Sequence, residues 1–249
     1  MKTIFLPLIA CLSLTAAAAM AGHHKSGHHD LFNGKDLTGW KGDDRFWRVE
    51  DGAIVGETTP DNPSKGNTFL IHEGGPFGDF ELSFRYKVAG FNSGLQYRSR
   101  ETGTHKMAGM QADFEAEWHT DKDNPDKAPF DRFSGMYFEE GGRMFMGQRS
   151  DVVVVTADPD NAGKSKSRKI ASLGDPAELG SVIRRDDWND YTIIAHGKIC
   201  IHIINGRVMS IGLDEDAANF KAEGLIGLQL HGGRPMRIDV KDIKLRPIK

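Results

Sequence analysis

Residues Phe80 to Val88 alternate without interruption, Phe80, Leu82, Phe84, Tyr86 and Val88 set against Glu81, Ser83, Arg85 and Lys87. Successive side chains leave opposite sides of an extended backbone, so a period of two describes a strand with one buried and one wet face. The same beat returns at Met110 to Ala116, where Met110, Ala112, Phe114 and Ala116 oppose Gln111, Asp113 and Glu115. Gly94 to Arg100 follows it too, and Val152 to Thr156 is an unbroken β-branched run of the kind a strand covered on both faces needs. Asp51-Gly52 and Asn205-Gly206 each sit between apolar runs and predict tight hairpin turns. Further strands are expected over Tyr191 to Ala195, Lys198 to Ile204, Leu225 to His231 and Met236 to Leu245. One helix is expected over Asp175 to Arg184, with Asp175 as cap, Pro176 in the first turn and Glu178 three residues on. Asn161 to Lys169 reads as a basic loop. Many short strands and one helix specify an all-β fold, a two-sheet antiparallel sandwich rather than an alternating α/β chain.

Composition removes several function classes. A net charge of −3 with 27% charged residues lacks the basic surface that nucleic acid demands. Met1-Lys2, the apolar stretch Ile4 to Leu14 and then Ala16 to Ala19, Met20 and Ala21, with small residues at the spacing a signal peptidase accepts, predict a signal peptide over residues 1–21 and export to the periplasm or beyond. Leu8-Ile9-Ala10-Cys11 offers a lipoprotein box as the weaker alternative, because the chain stays apolar after Cys11. Residues 22–30, with His23, His24, His28 and His29, read as a flexible leader rather than a metal site. The folded domain then spans 31–249, with no apolar segment long enough to cross a membrane. Cleavage after Ala21 would leave Cys200 alone, so a hydrophobic core and not a disulfide must hold the fold.

No phosphate loop, Gly-x-Ser-x-Gly elbow or paired-cysteine motif is present. His119, before the acidic stretch Asp121 to Pro129, has no helical His partner. What remains is a set of polar residues on strands: Gln96 and Arg98, then Gln111, Asp113 and Glu115, then Gln229 and His231. A wet strand face ordinarily does no more than meet solvent. These sets, however, hold Gln, Asp, Glu, Arg and His with little Lys or Thr, and they abut Gly94, Gly109 and Gly232-Gly233. Glycine at a strand lets a ligand or a second backbone approach closely, and planar donors and acceptors gathered on a curved sheet suit sugar hydroxyls.

Several segments resemble the 3-keto-disaccharide hydrolase family, also described as 3-keto-glucoside 1,2-lyases and 3-keto-2-hydroxyglucal hydratases. They are Leu31-Phe32-Asn33-Gly34-Lys35-Asp36-Leu37-Thr38-Gly39-Trp40, Trp47 to Gly52, Gly78 to Leu82 and Asn92-Ser93-Gly94-Leu95. Trp188-Asn189-Asp190-Tyr191, His202 with Asn205-Gly206, and Gly224 to Gly233 continue the same order. The resemblance implies a concanavalin-like jelly roll that acts on sugars oxidised at carbon 3. Two departures stand out: Gln111 to Glu115 differs from the family's usual strand, and Arg143 to Asp175 is a longer insertion that could reshape the site.

The implied chemistry is elimination across carbons 1 and 2, with hydration completing net hydrolysis. A ketone at carbon 3 acidifies the carbon 2 hydrogen, which avoids the oxocarbenium-like path of ordinary glycosidases. By residue type His231 is the expected base, Arg98 the expected enolate stabiliser, and Glu115 or Asp113 the acid for the leaving oxygen. The two carboxylates could instead hold a divalent metal cation doing the work of Arg98. Gln96, Gln111 and Gln229 would orient hydroxyls. The competing reading is a non-catalytic carbohydrate-binding module, for which Trp118 is the expected aromatic platform, Trp47 and Trp188 being assigned to the core.

Overall fold

The computed structural model describes residues 27–118 and 131–249. The expected signal peptide, Cys11, His23, His24, His119 and the stretch Asp121 to Pro129 lie outside the described residues.

The first strands are β1 (His29–Asp30), β2 (Trp40–Lys41), β3 (Trp47–Glu50), β4 (Ala53–Thr58), β5 (Thr68–His72) and β6 (Phe80–Ala89). Then come β7 (Asn92–Gly103), β8 (Lys106–Glu115), β9 (Tyr137–Glu140), β10 (Met144–Gly147), β11 (Asp151–Ala157) and β12 (Ser165–Ser172). After the helix α1 (Pro176–Gly180) the chain closes with β13 (Asn189–His196), β14 (Ile199–Ile204), β15 (Arg207–Asp214), β16 (Leu225–Leu230) and β17 (Met236–Pro247). One sheet runs β12-β11-β15-β14-β13-β6-β17-β4-β3, with β1 added beside β17; the other runs β10-β9-β8-β7-β16-β5-β2. Every pairing is antiparallel except β11 with β15. This is the expected all-β two-sheet sandwich. Among the described residues no helix is long and apolar enough to cross a membrane.

The alternation read in β6 sets the inner face of the first sheet, where Phe80, Leu82, Phe84, Tyr86 and Val88 are buried. Leu95, Tyr97, Ala112, Phe114, Ile226, Leu228 and Leu230 answer from the second sheet and join the same core. Tyr86 stacks on Phe114 with centroids 4.3 Å apart, so an aromatic contact ties the middle of one sheet to the other. Both hairpin turns take the left-handed geometry their residues favour: φ is 48° and 73° at Asp51 and Gly52, and 48° and 78° at Asn205 and Gly206.

Four local expectations change. Ser165–Ser172 is an exposed edge strand paired with β11, not a loop; its lysines and arginine are what an edge needs to discourage further pairing. The helix begins where expected, the Asp175 carboxylate accepting from Ala177 N and Glu178 N, but it stops at Gly180. His29 and Asp30 pair with Leu245 and Lys244 instead of trailing as leader. Trp188 is half-buried, not core, its ring facing Lys241 Nζ at 4.1 Å.

His202 lies within the core between the sheets. Its Nδ1 is 2.9 Å from the Met136 carbonyl, which can only accept, so Nδ1 carries the proton and Nε2 accepts from Tyr97 Oη at 2.9 Å. Burial lowers its pKa to about 4. A histidine held neutral when folded contributes stability that is complete above its unfolded pKa of about 6.5 and is lost as pH falls toward the folded value. Between those limits the wild type should lose up to about 3 kcal/mol on this account. Denaturant unfolding at about pH 7 and about pH 4.5 should show a smaller loss for His202→Gln, and equal losses would remove His202 from the effect.

Candidate functional site

The face of the seven-stranded sheet turned away from the core carries three rows of side chains fixed by strand register. Gln96 on β7 pairs with Gln111 on β8 and with Gly227 on β16. Next along, Gly94 pairs with Asp113, and the Leu228–Leu95 pairing sets Gln229 beside Gly94. At the strand ends Asn92 pairs with Glu115, and His231 follows β16 on the same side. Six sequence-predicted residues therefore share one face: Gln96, Gln111, Asp113, Glu115, Gln229 and His231.

Gln111 is the hub. Its Nε2 donates to Asp113 Oδ1 at 3.0 Å and to Gln229 Oε1 at 3.3 Å, while its Oε1 accepts from Gln96 Nε2 at 3.2 Å. To reach Gln229 it must cross the intervening strand β7, and it crosses at Gly94. A Cβ on Gly94 would lie 2.5 Å from Gln111 Cγ, so only glycine allows that path. All four linked side chains are buried, yet Asp113 Oδ2, Gln96 Oε1 and Gln229 Nε2 have no hydrogen-bond partner among the described residues. Asn92 Oδ1 is in the same position. Each such atom costs about 1–3 kcal/mol, and although Tyr86 Oη and Tyr191 Oη in the core also lack partners, these four cluster on one face around a single network. Asn92 was not among the predicted residues; its place in the Asn92-Ser93-Gly94-Leu95 segment was the available signal.

Asp113 is the electrostatic centre. Burial pushes its pKa well above the usual carboxylate range, Glu140 and Glu115 push the same way, and the Gln111 bond opposes them. Burial therefore favours the protonated form of the side chain, and the unpartnered Oδ2 is the oxygen that would carry the proton. Glu115 works differently: its Oε2 accepts from Arg132 N at 2.7 Å and Phe133 N at 3.3 Å. Arg149 grips the same turn through Asp131 at 2.9 Å, a buried ion pair. His231 Nδ1 lies 2.9 Å from the Gly232 carbonyl, which leaves the lone pair on Nε2; Phe91 meets the ring edge-on at 4.7 Å. Across the mouth, Asn67 bonds Gly232 N at 3.0 Å and Glu140 at 3.2 Å and straps one end of the face. A cavity of ≈ 470 Å³ opens where that strap meets the β7–β8 turn, lined by Arg45, Lys65 and His105 among others, and reaches none of the three rows.

Arg98 stands elsewhere, and Trp118 stands at the margin. Arg98 was placed with Gln96 by a period of two, but β7 bulges there, with φ of 47° at Arg98 and register shifts against both neighbours. The bulge turns Arg98 inward after Tyr97. Its guanidinium then bonds Asp79 Oδ1 at 2.7 Å and the Gly197 carbonyl at 2.8 Å, locking the β13–β14 turn. It cannot serve the rows. Trp118 stands past the end of β8 at a crevice that it shares with Glu115, the end of the third row, and with Ile183, Arg184 and Arg185, its ring 6.0 Å from the Arg185 guanidinium carbon. Among the described residues no group of three His, Cys, Asp or Glu is arranged to hold a metal.

A family model described as a 3-keto-alpha-glucoside-1,2-lyase-like domain matches residues 27–246. Two solved structures from Parabacteroides distasonis, each described as a "putative glycosyl hydrolase", share the fold. One is 17% identical over 90% of this chain and 95% of that one, with a TM-score of 0.54. The other is 16% identical over 89% and 99%, with a TM-score of 0.55. No curated protein matches the chain.

A buried acid raised above its unfolded pKa contributes stability at low pH that is lost as pH rises through its folded value. Asp113→Asn keeps the Gln111 bond and removes that loss. Its melting temperature relative to wild type should therefore rise between about pH 4 and about pH 8; a constant or falling difference would mean that Asp113 is ionised in the folded protein.

Proposed function

The chain belongs to the 3-keto-alpha-glucoside-1,2-lyase-like family, and from that premise we propose that it is a carbohydrate-active enzyme that cleaves 3-keto-glycosides on the three-row face. The observation that carries the reading is the gathering of buried Asp113, whose pKa burial raises, with unpartnered donors and acceptors on one strand-built surface. Sugar hydroxyls both donate and accept, and would satisfy these atoms at once.

The roles follow from the atoms. His231 Nε2 takes the hydrogen of carbon 2, acidified by the ketone next to it. Negative charge develops on the carbon 3 oxygen, where the Gln229 Nε2 amide is a buried donor without another partner. This gives Gln229 the part first expected of Arg98. As the bond from carbon 1 to the glycosidic oxygen breaks and the double bond to carbon 2 forms, Asp113 gives its proton to the leaving oxygen. Glu115, engaged with the 131–134 turn, holds the wall of the site. Gln96 Oε1 and Asn92 Oδ1 accept from hydroxyls and set the ring's pose. Water adding across the new double bond, oxygen to carbon 1 and hydrogen to carbon 2, would complete net hydrolysis. The apolar N-terminal stretch supports the further proposal that the enzyme is exported and works on sugars outside the cytoplasm.

Incubation with a 3-keto-glucoside should release the aglycone. His231→Ala and Asp113→Asn should each reduce kcat by roughly 10²–10⁴-fold, the span of a lost general base or acid. The Asp113 variant should also lose the alkaline fall of the pH–rate profile, because the group whose ionisation causes it is gone. Binding of the sugar with no product from wild type would identify a carbohydrate-binding module instead.

A further inference from the structure

Beyond Tyr97 and Met110 the β7–β8 hairpin leaves the plane of its own sheet and folds back over the row face. The bend is built into both strands at one level. On β7 it falls at the bulge of Arg98 and Ser99, where register shifts against β8 and β16. Arg98 is a fixed post there, anchored by Asp79 and the Gly197 carbonyl. On β8 the bend falls at Gly109, where a Cβ would lie 2.2 Å from Ser99 Oγ and hold the strands apart. Past the bend the hairpin stays paired, Arg100 with Ala108, Glu101 with Met107 and Gly103 with Lys106. It carries Met107 down onto Phe69 and Ile71 of β5, in a small apolar cluster separate from the core between the sheets. Those residues continue the rows: Ile71 pairs with Gly227 beside Gln96, and Phe69 pairs with Gln229. Gly227 is the seat, for a Cβ there would lie 2.3 Å from Met107 Sδ. The tip is pinned further on, where the His105 carbonyl accepts from Phe69 N at 3.0 Å and Lys106 Nζ donates to the Asn67 carbonyl. Asn67 also holds Gly232, next to His231.

We propose that residues 99–109 form a hinged cover for the rows, shut in this structure, which lifts as a unit about Ser99 and Gly109 to admit and release ligand. The ties that hold it down are light: one buried side chain, a backbone hydrogen bond, an ammonium on a carbonyl, and the exposed pair Lys41–Glu101 at 2.9 Å. Beneath the tip, Thr104, His105 and Lys106 face Arg45, Ser64 and Lys65 across the cavity of ≈ 470 Å³ instead of packing against them. A segment with so few buried contacts opens locally at a fraction of the free energy that unfolds the core. Closed, the cover walls off the β16 and β5 side of Gln96 and Gln229, both of them buried. Lifted, it uncovers that side without breaking the Gln111 network. That the passage serves a keto sugar rests on the reading of the rows given above, whereas the lifting itself does not.

Native-state amide hydrogen exchange on the full-length protein tests the cover with no sugar present. In wild type the Phe69 amide, freed when the tip lifts, should exchange about 10-fold or more faster than the amides of central strand β6. The amides paired between 100–103 and 106–108 should keep their protection. Met107→Ala should speed Phe69 exchange by about a further 10- to 100-fold, the apolar burial lost from the closed state. Met107→Leu, which refills the seat, should return it toward the wild-type rate. Phe69 exchanging at the β6 rate in all three proteins would make the hairpin a fixed part of the sheet. Loss of the 100–108 ladder together with Phe69 would mean fraying in place of hinged lifting. Either result overturns the proposal. With a 3-keto-glucoside, kcat/KM should fall by about 3- to 10-fold in Met107→Ala and recover in Met107→Leu; faster exchange with unchanged kcat/KM would overturn the gating of the rows. If wild type cleaves no 3-keto-glucoside, the functional reading fails by itself, and the exchange rates still decide the cover.

Discussion

Gln111 reaches over a strand to bond a side chain on the far side, and the rest of the site is arranged by that reach. The strand it crosses, β7, offers no side chain at Gly94, where a Cβ would collide with Gln111 Cγ at 2.5 Å. Through this gap one amide ties Asp113, Gln229 and Gln96 into a single network spanning three strands. The network fixes the orientation of every amide in it, because Gln111 spends both its donor and acceptor inside. What each neighbour has left over, Asp113 Oδ2, Gln229 Nε2 and Gln96 Oε1, stays buried without a partner among the described residues.

Such a surface works against folding. The unpartnered atoms and the buried acid each cost free energy that the aromatic core must offset. The core is built for it: Tyr86, Phe114, Phe84 and Tyr191 stack in contact between the sheets. Within it His202 is paired with Tyr97 and Met136. Unpartnered polar atoms also occur inside, at Tyr86 Oη and Tyr191 Oη, so what sets the outer face apart is that four of them gather on three adjacent strands around one hub.

Strand positions, both hairpins and the sandwich were legible because period-two patterning and Asp-Gly or Asn-Gly turns act locally. The polar rows were legible for the same reason, alternation along β8 being enough to set Gln111, Asp113 and Glu115 on one side. Arg98 misled because a bulge changes the face of a residue without changing the residue types around it. Asn92 and Gly94 were visible as a segment, but their roles depend on which strands lie to either side, and register between distant segments is a tertiary property. The fold-back of the β7–β8 hairpin was hidden more deeply still. Met107 and Gly227 lie far apart in the chain, and only the bend at Ser99 and Gly109 brings one onto the other.

A crystal structure of the Asp113→Asn variant holding an uncleaved 3-keto-disaccharide tests the central claim most directly. The account requires the keto ring over the three rows, with sugar oxygens in hydrogen-bond contact with Gln96 Oε1 and Gln229 Nε2 and carbon 2 facing His231. Sugar bound instead on the outer face of the other sheet, or in the cavity beside Lys65, with the rows unoccupied, would contradict it.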